Sequence, residues 1–132
     1  MYYAETEKNI QGFIRDFDAI AREFGFVINN ADTMNMAKTF ALHGIEVPAG
    51  FDLHMIQICK PEKAAKSLVA NPERAVLMPK FIMLFTGNGV TQIRFLRFGF
   101  EDISTIVDDP VFPGSLVESY ERIVAMIEEA RG

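Results

Sequence analysis

FIMLFTGNGVTQIRFLRF, residues 81–98, holds two runs of branched and aromatic side chains on either side of an Asn88-Gly89 pair. Such residues suit a pleated surface, and Asn-Gly accepts the positive φ that a tight hairpin turn demands. Phe81–Thr86 and Val90–Phe98 are therefore expected to be antiparallel neighbours, and a sheet built outward from them starts antiparallel. Arg alternates with Phe in IRFLRFGF; core packing with arginine at an edge is favoured over base stacking.

Upstream of the hairpin, Leu53–Cys59 reads as a strand that runs into Lys60-Pro61. Proline lacks an N–H and fits the first helical turn, so a helix opens at Pro61; Ala64, Ala65, Leu68 and Val69 are expected on its inner face before Asn71-Pro72 ends it. Nearer the N-terminus, Tyr2–Glu5 forms a short aromatic strand. Ile10, Phe13, Ile14, Phe17, Ile20, Ala21 and Phe24 then recur at spacings of three and four, the period of an amphipathic helix, and Gly25 stops it. Phe26–Asn29 is a brief strand, Asp32 or Thr33 caps a short helix that ends before Gly44, and GIEVPAGFD is a loop.

Downstream, Phe100–Pro113 is acidic and turn-rich with a helical piece around Ile103. Ser115 and Glu118 have capping-box spacing ahead of Leu116, Tyr120, Ile123, Val124 and Ile127, the apolar face of a last helix. No repeat or linker divides the 132 residues, which suit one domain spanning 1–132. The element order predicts an α+β fold, a largely antiparallel sheet with helices packed on it.

Composition narrows the function classes. A net charge of −5 argues against nucleic-acid binding, which depends on neutralising phosphates. The longest apolar segment, Ala75–Phe85, is interrupted by Pro79 and Lys80 and is too short for a membrane span. An acidic N-terminal stretch and a single cysteine point to the cytoplasm. The charge is nonetheless segregated: residues 1–59 carry −4, residues 60–97 carry +5 and residues 98–132 carry −6. A small anionic ligand therefore stays open for the basic middle.

REFGFVINNADTMNMAKTF and ICKPEKAAKSLVANPERAVLMPKFIMLFTGNGVTQIRF together resemble the small prokaryotic proteins grouped as domain of unknown function 302. Gly25-Phe26, Cys59-Lys60-Pro61, Ala65, Leu68, Met78-Pro79 and Asn88-Gly89 carry the likeness, over about residues 22–95. The resemblance implies helices packed on an antiparallel sheet, similar in outline to TATA-binding-protein-like folds, and it implies no settled activity. Many members with a cysteine in this turn have a second one after the Leu-Pro pair. Here that position is Lys80, so a paired-thiol or two-cysteine metal site does not carry over.

Cys59 precedes a helix N-terminus, whose dipole and free N–H groups favour thiolate. Strand alternation puts it on the face of Leu53 and Met55, and a core or near-core thiol is favoured over a reactive one. His54 takes the opposite face, with Ile56 and Ile58, which removes it as a partner. His43 fits a helix C-terminus better than a ligand set. One Cys and two separated His provide no zinc spacing, and no metal or cofactor is expected. Asp108 and Asp109 lack the spacing of a calcium loop.

Lys60, Lys63, Lys66, Arg74, Lys80, Arg94 and Arg97 make up the basic middle, with Lys63 and Lys66 expected to share a helix face. A solvated face paired with the acidic C-terminal segment is favoured; the alternative is an anion site at the Pro61 helix start with Lys60, Lys63 and Lys80. The leading expectation is a non-enzymatic binding or interaction module that dimerises and takes a small anionic or apolar ligand. A thiol-dependent sulfur carrier or redox accessory using Cys59 is second, and an enzyme on a small anionic substrate third.

Overall fold

The computed structural model describes residues 1–132. In chain order its elements are β1 (Tyr2–Thr6), α1 (Ile10–Glu23), β2 (Val27–Ile28), α2 (Met36–Leu42), β3 (Leu53–Cys59), α3 (Pro61–Ala70), a 3-10 turn (Pro72–Leu77), β4 (Lys80–Gly87), β5 (Val90–Phe95), α4 (Phe100–Ile106) and α5 (Phe112–Arg131). The hairpin forms as its sequence requires, with Asn88 at φ 55° and Gly89 at φ 78°, and Gly87 lies opposite Val90. All pairings are antiparallel, in the order β1-β5-β4-β3-β2. The fold is α+β.

One row of strand residues turns inward: Ile56 and Ile58 on β3, Ile82 and Leu84 on β4, Ile93 and Phe95 on β5. They meet Ile10, Phe13, Phe17 and Ala21 of α1 and Leu116, Tyr120, Ile123 and Ile127 of α5 in a single buried cluster. Phe13 stacks on Phe17 with centroids 5.8 Å apart, and Phe95 meets Tyr120 edge-on at 5.8 Å. Each such pair contributes roughly 0.5–1.5 kcal/mol beyond its buried area.

Helix α1 begins and ends as its sequence predicts. Asn9 accepts a capping bond from Gly12 N–H at 2.7 Å. At the other end Gly25, at φ 80°, donates to Arg22 O while Phe26 N–H reaches back to Ala21 O. This αL closure allows the chain to reverse and drives Phe26 into the interior.

Three starts or faces differ from expectation. Helix α2 is capped by Asn35, whose side chain accepts from Ala37 and Lys38 N–H, in place of Asp32 or Thr33. Helix α5 starts at Phe112, so Ser115 lies within its first turns and caps nothing. Its cap lies just ahead of it: Asp109 Oδ1 accepts from Val111 and Phe112 N–H at 2.9 and 2.8 Å. Arg74, with Asn71 assisting, also bonds Asp109 and holds its carboxyl far below the usual carboxylate range. In α3 the inner face is Lys63, Ala64, Ser67 and Leu68; Ala65 is exposed, and Val69 is 87% exposed. Lys63 and Lys66 therefore part company, since Lys66 stays in solvent beside Glu62 at 3.5 Å.

His54 is buried on the inner face, and His43 is the C-cap of α2. His54 Nδ1 lies 3.2 Å from Asp52 Oδ1 but out of line for a hydrogen bond. Burial outweighs the pull of Asp52, and Lys38 adds to it, so the imidazole pKa falls below 6.5. The unfolded chain then binds the extra proton first as pH falls, which erodes stability below about pH 6.5. Urea midpoints of the wild type are expected to drop between about pH 7 and pH 5, and His54→Gln to flatten that part of the profile. Equal slopes for the two proteins would refute this.

Candidate functional site

The end of β3, the start of α3, the turn before β4 and the first turns of α5 enclose a cavity of about 290 Å³. Local sequence sets each wall. Pro61 occupies the first turn of α3 with its own side chain outward, and its helix presents Lys63, Ala64, Ser67 and Leu68 to the cavity. The Gly25 turn delivers Phe26, and the Asp109 cap fixes Phe112, over whose ring the Arg74 guanidinium sits at 5.5 Å.

Cys59, Lys60, Lys63 and Lys80 all line this one cavity; Pro61 does not. Cys59 shares the strand face of Leu53 and Met55, but the core lies on the other face. The thiol is half-buried at the cavity wall and is no member of the core, because both faces of this strand are apolar and only the helices select the inner one. Lys80 reaches the site through strand register, opposite Ile58.

The three ammonium groups have few partners. Lys63 Nζ donates to Ser119 Oγ at 2.7 Å and to Ser115 O at 3.4 Å. Lys80 Nζ reaches only Met78 O, at 3.4 Å. Lys60 Nζ stands 5.6 Å from the centroid of the Phe26 ring. None forms an ion pair within 4.0 Å, and no Asp or Glu lines the cavity. Burial lowers the pKa of Lys63, with Glu118 opposing and Lys60 adding to the fall. It also lowers that of Lys80, with Cys59 opposing and Lys63 adding.

An adjoining hollow of about 310 Å³ shares Phe26, Lys60, Lys63 and Ser119 and adds Glu118, Glu121 and Arg122. The carboxylates therefore lie outside, and the inner chamber is cationic and apolar. Arg74 belongs instead to the ion pair with Asp109, and Arg94 stacks between Tyr3 and Phe85 at 4.8 and 5.3 Å on the outer sheet face. Asp109, weighed as a cation ligand, has both oxygens committed to Arg74, Asn71 and the α5 start. No three His, Cys, Asp or Glu side chains converge, and no helix is long and apolar enough to cross a membrane.

Sequence reasoning missed Phe26, Phe112 and Ser119. For Ser119 a signal existed: between Leu116 and Ile123 it is a polar residue on the apolar stripe of α5, where it serves Lys63.

No curated protein matches the chain. The crystal structure of an uncharacterized conserved DUF302 protein from Bacillus stearothermophilus superposes with a TM-score of 0.78 at 16% identity, covering 98% of this chain and 97% of that one. At that identity the likeness is one of fold. The sequence match to Domain of unknown function DUF302 runs over residues 2–130, well beyond the 22–95 that carried the first resemblance. The extension has a structural reason, because β1 completes the sheet beside β5 and α5 completes the core. With the match spanning nearly every residue, the chain belongs to the DUF302 family.

Proposed function

We propose that the protein is a binding module for a small anion with an apolar body, held in the cavity between α3, α5 and the end of β3. The observation that carries this is the convergence of Lys60, Lys63 and Lys80 on an apolar chamber that no carboxylate lines. Cations taken from water without a counter-ion are costly, and burial already disfavours the charged forms of Lys63 and Lys80. An anion removes that cost, and each charge-assisted hydrogen bond adds about 1.5–3 kcal/mol. The first N–H groups of α3 supply further positive potential. At about 290 Å³ the chamber suits a small monoacid better than a nucleotide.

Calorimetric titration with benzoate, with neutral benzamide of the same shape as control, tests the reading. Benzoate is expected to bind once per chain, more weakly as salt rises, and benzamide not to bind. The anion should also pull the lowered lysine pKa values back toward 10.5, so binding in alkaline buffer takes up protons. No saturable benzoate heat, or equal heats for the two compounds, would sink the proposal.

The sheet face opposite the helices supports a homodimer. Tyr3 is 66% exposed there, Phe81 is exposed, and Met55, Met83 and Phe85 are half-buried. A second copy would cover this aromatic and methionine surface, and light scattering decides it. A free thiol suits a reducing compartment such as the cytoplasm. The thiol-dependent reading keeps one specific support, since Cys59 opens on the same cavity beside Lys80. Alkylation of native protein across pH separates it: a rate that follows an ordinary thiol pKa of about 8.5 rejects an activated nucleophile.

A further inference from the structure

We propose that Lys80 is a carbonyl-capturing amine, whose Nζ forms an imine with an aldehyde or ketone while Lys60 and Lys63 hold the anionic group of the same molecule. The proposal rests on the anion-binding reading and adds a covalent step to it. Lys80 opens β4 in register with Ile58, on the row that continues through Ile82 and Leu84 toward the helices. The other three positions are wholly buried aliphatic side chains. A lysine breaks the pattern there, at a place where its ammonium finds one weak carbonyl acceptor and no counter-ion.

Such an environment favours the neutral amine, which is the nucleophilic form. Burial lowers the Lys80 pKa first, and the charge of Lys63 adds to the effect while Cys59 opposes it. Lys63 serves twice, lowering the amine and, with Lys60, holding the anion that aligns a carbonyl against it. Lys66, by contrast, stands in solvent beside Glu62 and does not line this chamber.

The step balances without an oxidant or reductant. The Nζ lone pair adds to the carbonyl carbon, the π electrons pass to oxygen, and a proton moves from nitrogen to oxygen to give a carbinolamine. The nitrogen pair then expels the hydroxyl, which takes a proton and leaves as water. One amine and one carbonyl give one imine and one water, and hydrolysis reverses the capture. The Lys63 ammonium and the Cys59 thiol line the same chamber as proton carriers.

Borohydride trapping on the full chain tests this, with 4-carboxybenzaldehyde and glyoxylate as probes, benzaldehyde as the neutral control, and peptide mapping of the reduced adduct. One adduct on Lys80 is expected, forming about tenfold faster with a carboxylated probe than with benzaldehyde. Its rate should rise with pH as the Lys80 ammonium loses its proton. Lys80→Arg should remove the adduct with the circular dichroism unchanged, and Lys63→Gln should slow it about tenfold yet leave it on Lys80. Adducts spread evenly over Lys66, Lys38 and Lys80, or no adduct with either carboxylated probe, would overturn the proposal. Benzoate calorimetry on the same sample separates the two readings: binding without trapping rejects imine formation alone, and neither signal rejects both.

Discussion

Lys63→Glu is expected to weaken benzoate binding by about a hundredfold, equivalent to about 2.7 kcal/mol. The substitution removes an ammonium that now faces the chamber from α3 and puts a carboxylate in a lining that has none. Like charges in a poorly solvated site repel by several kcal/mol, so the sign is secure and the loss exceeds that of simple neutralisation. Lys63→Gln keeps a donor for Ser119 and is expected to lose about tenfold. Calorimetry on both variants checks the order; a glutamate variant that binds benzoate like the wild type would contradict the site. The fold should survive either change, because Lys63 lies at the edge of the protein's core and outside the buried cluster.

Phe95→Ala is expected to cost about 3–5 kcal/mol of unfolding free energy, read from urea denaturation at neutral pH. Phe95 has no exposed surface, sits between Tyr2 of β1 and Ile82 of β4, and packs its ring nearly perpendicular to that of Tyr120. Truncation therefore opens a hole where strand pairing and helix packing meet, and neither layer can close it without losing register. A loss under about 1 kcal/mol would mean that the strands shift to fill the space. Phe81→Ala is the contrast on the outer sheet face, where the ring is exposed and the effect should be small.

The hairpin, helix α1 and the junction at Pro61 were legible because each rests on local chemistry. Asn88-Gly89 dictates its turn, the three-and-four spacing of α1 matches the helix period, and Gly25 closes that helix. Parity along β3 was legible too, and it sent His54 and Cys59 to opposite faces. Which face is the core was not, since Leu53 and Met55 are as apolar as Ile56 and Ile58. The inner face of α3 misled for a related reason. Hydrophobicity favoured Ala65 and Val69, but α3 borders a cavity at the rim of the sheet, and its lysine and serine turn inward.

The caps join local and distant contacts. Asn9 and Asp109 each cap a helix from three residues away, and Asp109 is also bound to Arg74, 35 residues earlier in the chain. A local contact has a signature in the sequence and a distant one has none. The site itself depended on the second kind: Lys60 and Lys63 are one turn apart, but Lys80 arrives through the pairing of β3 with β4.

The two ends of the chain are stitched together. Thr6 Oγ1 donates to Arg131 O at 2.9 Å, Arg131 Nη1 donates to Glu5 O at 3.0 Å, and the Tyr2 hydroxyl donates to Glu128 across 126 residues. Burial, and then that bond, push the Tyr2 pKa up to about 12, so the donor persists at any physiological pH. This arrangement bears on the order of assembly. Synthesis makes β1 before β5, its strand partner, and before α5, which roofs it. The central strands and α1 can collapse earlier, so β1 waits as an unpaired ribbon and docks late. Closing such long loops is slow, and until β5 is made Tyr2–Thr6 stays open to chaperones or to the edge strand of another nascent chain.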